Sequence, residues 1–191
     1  MKKTFETALP KGYREVFHID AANIKIGIIM NLIALVMMIV SMIVCFRLIH
    51  PTSFTFTAGP WFITLAVLIV YVVLHELVHG AAYKLMTGQK LTFGFSGTVA
   101  FCGVPDIYVY RKTALVSLLA PFTVFSIVFI AAMLLIPGDF NKILCAFLFS
   151  AHFGGCVGDL YDTLLYLFRF RAPNTLMRDT GPAQTFYVTE E

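Results

Sequence analysis

The sequence predicts an all-α membrane protein with four transmembrane helices and a β-hairpin-like loop between the second and third, on the cytoplasmic side. Three observations carry this. The 191 residues are 59% hydrophobic and only 13% charged, with a mean hydropathy of +0.82. A soluble domain carries about one-quarter charged residues, so this chain has too little polar material to cover a soluble surface. Its apolar residues fall in runs long enough to cross about 30 Å of hydrocarbon. Its basic residues alternate sides with those runs, as they do in multi-pass proteins of the cell membrane.

The elements follow in order. Residues 1–23 form a polar N-terminal tail, and the apolar run after it is too long for a cleaved signal peptide, so the first helix is read as an uncleaved anchor. That helix spans 24–46, and His50-Pro51 with the Ser/Thr-rich stretch to Gly59-Pro60 ends it. The second spans 61–83 and opens on Trp61, a natural interfacial anchor. The third covers 113–136 and stops at Pro137-Gly138; the fourth covers 142–168, before a tail at 169–191. Lys2, Lys3, Lys11, Arg14, Lys25, Lys84, Lys90, Arg111, Lys112, Arg169, Arg171 and Arg178 share one side, against Arg47 and Lys142 on the other. Both termini and the 84–112 loop are therefore expected in the cytoplasm.

Within that loop, LTFGFSGTVAFCG is rich in Phe, Gly and β-branched residues with rough alternation, which reads as paired strands. It is apolar enough to dip into the membrane. Backbone can do so only if protein covers it or it lines a water-filled cavity, which a re-entrant hairpin would satisfy. No basic cluster interleaved with aromatics points to nucleic acid. Cys45, Cys102, Cys145 and Cys156 lack CxxC spacing, so they read as buried thiols and not as a zinc knuckle or disulfide framework.

The chemistry lies in His75-Glu76-Leu77-Val78-His79, a HExxH motif inside the second apolar run. On a helix, positions i and i+4 share a face, so both imidazoles can reach one Zn2+ ion. Glu76 then stands beside the fourth coordination position, placed to take a proton from water and pass it to a leaving amine. Three ionisable groups within five residues of a membrane segment are costly and mark function.

Zinc needs a third protein ligand, and the fourth helix offers Asp159 and Asp162. His79 and Asp159 lie almost equally many residues from the outer ends of their helices, hence at equal depth. On that helix His152, Gly155, Cys156 and Asp159 are spaced i, i+3, i+4, i+7 and share one stripe, with Asp162 turned further round. Asp159 is the expected ligand. Asp162 is a candidate supporting partner of the site, and His152 a candidate for orienting substrate or stabilising an oxyanion. His18 and His50 read as surface residues.

HELVHGAAYKLMTG in a membrane helix, a Gly-rich loop, a helix with SLLAPF and a last helix with HFGGCVGDLYD together resemble the site-2 protease superfamily of intramembrane zinc metalloproteases, above all its small bacterial zincin-like branch. The resemblance covers about 61–168 and makes helix one an addition to a three-helix core. It implies zinc on His75, His79 and Asp159, Glu76 as the catalytic glutamate, and a hairpin at 91–103 that engages extended substrate. Phe93, Phe95, Gly97 and Val99 are its candidate substrate-binding residues. The family's asparagine-proline-aspartate-glycine pattern is absent; Gly158-Asp159 stands in its place, with His152 near the asparagine's position.

The expected activity is hydrolysis of peptide bonds in a membrane-anchored peptide or protein, in or beside the lipid bilayer. A catalytically silent metal-binding scaffold of the same fold is the alternative from another class. An ion carrier is disfavoured, because the outer half of the helices offers no polar pathway.

Overall fold

A computed structural model of the chain describes residues 3–51, 58–96 and 100–190. Three helices are long and apolar enough to cross a membrane, four if a bent pair counts as one span. α1 runs Ile24–Ile49, α2 Ala58–Thr87 and α3 Arg111–Leu135. Asn23 caps α1, its side-chain oxygen accepting from the Lys25 N–H at 3.0 Å. Pro51 follows a left-handed His50 at its other end. Most of the large apolar side chains of α1 are exposed, as expected of a helix whose outer surface meets lipid.

The fourth span is not one helix. α4 (Asp139–Gly155) and α5 (Val157–Leu164) meet at Cys156 with a bend of 45°, and a π-helical turn continues to Arg169. The expected stripe assumed unbroken phase across Gly154-Gly155-Cys156-Val157-Gly158. Glycines hold a helix weakly, and at Gly154 a Cβ would lie 2.6 Å from the Ala34 carbonyl oxygen. The close α1–α4 approach therefore uses Gly154.

The all-α expectation needs correction, because both presumed tails are strands. β1 (Phe5–Glu6), β2 (Tyr13–Asp20), β5 (Tyr108–Tyr110), β6 (Leu176–Asp179) and β7 (Ala183–Thr189) form one antiparallel sheet in the order β1-β5-β6-β7-β2. Its apolar face packs on the ends of the helices, where Val109, Met177 and Phe186 meet Tyr83, Leu118 and Tyr166. This buries the apolar side of segments too short and polar to stand out alone.

The hairpin is present as β3 (Thr92–Phe95) and β4 (Ala100–Gly103), paired antiparallel from Thr92↔Gly103 to Phe95↔Ala100. β5 also lies within the 84–112 loop but belongs to the larger sheet.

Candidate metal centre

Tyr71, His75 and His79 recur every fourth residue on α2 and form one stripe facing α3, α4 and α5. Both histidines are buried. Asp159, in the first turn of α5, reaches them across the bundle: its Oδ2 lies 3.3 Å from His75 Nε2 and its Oδ1 3.3 Å from His79 Nε2. The two Nε2 atoms stand 3.2 Å apart. Donors around a tetrahedral zinc with bonds of about 2.0–2.1 Å are separated by about 3.3 Å. The two imidazole nitrogens and the Asp159 carboxylate, one oxygen turned to each, thus converge at the spacing such a site needs. These residues fit zinc.

The ring orientations agree. His79 Nδ1 is 2.8 Å from the Ser117 carbonyl, which can only accept, so Nδ1 carries the proton and Nε2 presents a lone pair to the centre. That carbonyl is available for a reason legible in the chain. Pro121, inside α3 four residues on, has no N–H to occupy it. On the other ligand, His75 Nδ1 is 2.9 Å from the Tyr71 hydroxyl.

Glu76 lines the cavity beside these ligands, and Cys102 of β4 lines it too. The cavity, about 290 Å3, lies between α1, α2, the α4–α5 bend, β4 and the β6–β7 turn. Helix one, read from the resemblance as an addition to the three-helix core, supplies one wall through Gly27, Met30 and Asn31. Another wall is Ala100, Phe101 and Cys102 of β4. Phe93 and Phe95, named from the sequence as substrate-binding, lie on the outer strand β3 instead. The Phe93 ring packs over Gly80, where a Cβ would lie 2.8 Å from it, and Phe95 is exposed. The glycine of HExxHG thereby lets the hairpin seat directly on α2. Gly97 and Val99 lie outside the described residues.

The remaining candidates part company. Asp162 is buried in the cavity wall, but its Oδ1 has no hydrogen-bond partner among the described residues, and it is not grouped with the two histidines. His152 is fully buried behind Tyr71, whose hydroxyl is 2.8 Å from its Nδ1. Its Nε2 is within bonding reach of the Phe122 carbonyl and of Ser126. It faces the ligands' back and not the cavity, a position unlike that of an oxyanion donor. All four cysteines are free and buried.

Three participants went unforeseen. The Ser117 carbonyl was signalled by Pro121, and Tyr71 by its spacing from His75. Asp179 gave no signal. It sits on β6, far along the chain, and lines the cavity. Its Oδ2 accepts from the Tyr83 hydroxyl at 2.6 Å and its Oδ1 from the Gly181 N–H at 2.9 Å. Burial nevertheless pushes its carboxyl above the usual carboxylate range.

A helix-borne HExxH pair completed by a carboxylate from another helix defines a zincin-type metal centre. The family model described as "Putative zincin peptidase" matches residues 68–174, and the chain belongs to that family. Membership implies zinc and supports a zinc metallopeptidase. No curated protein and no solved structure matches the chain.

Proposed function

We propose that the protein is an intramembrane zinc metalloprotease, similar to the site-2 proteases, that hydrolyses a peptide bond of a membrane-anchored peptide or protein. The observation that carries this is the convergence of His75 and His79 on the Asp159 carboxylate, with contacts of 3.2–3.3 Å, among helices apolar enough to span a bilayer. Charge placement supports a multi-pass arrangement in the cell membrane with both termini in the cytoplasm.

His75, His79 and Asp159 would hold zinc, which supplies Lewis acidity to activate water and polarise a carbonyl. Glu76, adjacent in sequence to His75 and lining the same cavity, accepts the proton from the attacking water and delivers it to the departing amine. Each transfer balances: one proton leaves water, and one arrives on the amine nitrogen.

A helical substrate hides its carbonyls in its own hydrogen bonds, so the scissile segment has to be extended. The β4 wall offers backbone for an extended chain to pair with, on the cavity side of the hairpin. Burial behind α1 and the hairpin limits bulk water.

The test uses the full chain purified in detergent with its zinc content measured. Glu76→Gln should retain zinc and lose cleavage of membrane-anchored test peptides by about 10²-fold or more. Undiminished cleavage, or loss of zinc in a folded variant, would remove Glu76 from this role. Cellular function preserved in that variant would favour the silent scaffold.

A further inference from the structure

Besides the three donors, a second chain of contacts runs from His75 away from the cavity. His75 Nδ1, the Tyr71 hydroxyl and His152 Nδ1 are linked at 2.9 and 2.8 Å. His152 Nε2 continues to the Phe122 carbonyl at 3.3 Å and Ser126 Oγ at 3.1 Å. The direction of these bonds follows from one end. A carbonyl only accepts, so His152 Nε2 carries a proton and donates to Phe122.

His152 is fully buried among Phe122, Phe125, Phe129 and Phe149. A second ring proton would place an uncompensated charge there. Its Nδ1 is therefore the acceptor, and the Tyr71 O–H donates to it. The Cys156 thiol, 3.5 Å from the same nitrogen, is a weaker donor. With its proton committed, the Tyr71 oxygen can only accept from His75 Nδ1–H. That leaves His75 Nε2 bare, facing Asp159 and His79.

We infer that Tyr71 and His152 are positioning residues that lock His75 in its metal-binding tautomer, the polarity being set by the Phe122 carbonyl. The inference rests on the zinc site proposed above. It assigns His152 a task that spacing alone did not suggest. Without the His152 acceptor, the Tyr71 O–H is free to turn and donate to His75 Nδ1. The ring's proton then moves to Nε2, where it opposes a metal ion.

Zinc affinity by chelator competition tests this, alongside thermal unfolding and monodispersity of each purified variant. Tyr71→Phe removes one oxygen atom and should weaken zinc about 10–100-fold while the protein stays folded. His152→Phe should weaken zinc comparably, and the double variant should bind no more weakly than Tyr71→Phe alone. A packing role would instead give losses that add.

Zinc affinity within twofold of wild type in Tyr71→Phe overturns the relay, and this variant decides alone should His152→Phe not fold. Loss of zinc in Cys156→Ala also overturns it. His75, His152 and Cys156 converge within 4.8 Å as well, and an ion held there would displace the Tyr71 bridge. A wild-type protein that takes up no zinc sinks the underlying site too, which separates the two failures.

Discussion

The metal centre has two flanks, and they are built differently. On the bundle flank the groups behind the ligands are paired, His75 to Tyr71, Tyr71 to His152, His152 to Phe122 and Ser126, His79 to the Ser117 carbonyl, while the Ser117 hydroxyl has no partner among the described residues. On the sheet flank Asp162 Oδ1, Thr163 Oγ1, Tyr166 Oη and Thr175 Oγ1 are buried with no hydrogen-bond partner among the described residues. A satisfied network in a low-dielectric interior holds its members in one geometry. Unpaired hydroxyls and carboxylates are groups of the kind that internal water satisfies. One flank fixes the ligands; the other suits a region that must be wet. A hydrolase among apolar helices needs both.

The largest contrast expected between the flanks lies in two aspartates one helical turn apart. Asp159→Ala should abolish stoichiometric zinc in the purified protein, and Asp162→Ala should keep it, as metal analysis would read. Retention of zinc by the first, or equal loss from both, would erase the distinction drawn here.

Next come Tyr71 and Tyr166, both buried. Tyr166→Phe removes a hydroxyl that has no hydrogen-bond partner among the described residues, so its unfolding free energy should stay within about 1 kcal/mol of wild type or rise. Zinc affinity should not change, unlike in Tyr71→Phe. A Tyr166→Phe variant destabilised by several kcal/mol would show that its hydroxyl is well bonded after all.

The smallest effect concerns Asp179. Its folded-state pKa is raised by burial, so the folded state holds its proton where the unfolded chain has lost it. The contribution to stability is then greatest below the unfolded value of about 3.9 and declines as pH climbs through the folded value. Asp179→Asn mimics the protonated form, its amide able to donate to Tyr83 and its carbonyl to accept from Gly181. The variant should gain in melting temperature relative to wild type as pH rises from the unfolded carboxylate value, about 3.9, towards neutrality. A difference that shrinks over that interval would contradict the assigned sign.

Much of this was legible along the chain. Length and hydropathy mark α1, α2 and α3 to within a few residues, because a helix able to cross a membrane must be apolar over its whole span. HExxH carries its own geometry, since i and i+4 meet on any α-helix, and Tyr71 one turn earlier obeys the same rule. Pro121 announces a free carbonyl at Ser117 by the chemistry of the proline ring. These are local properties, and local spacing determines them.

What only the tertiary structure decided involves partners far apart in sequence. β2 pairs with β7 across most of the chain, so neither strand can be inferred from a run that looks like a tail. The 45° bend at Cys156 arises where α4 meets α1 and glycine gives way. It redirects α5 and determines which carboxylate meets the imidazoles. Asp179 reaches the cavity because a sheet carries it there. Backbone pairing and helix crossing act through space, and one-dimensional periodicity holds no record of them.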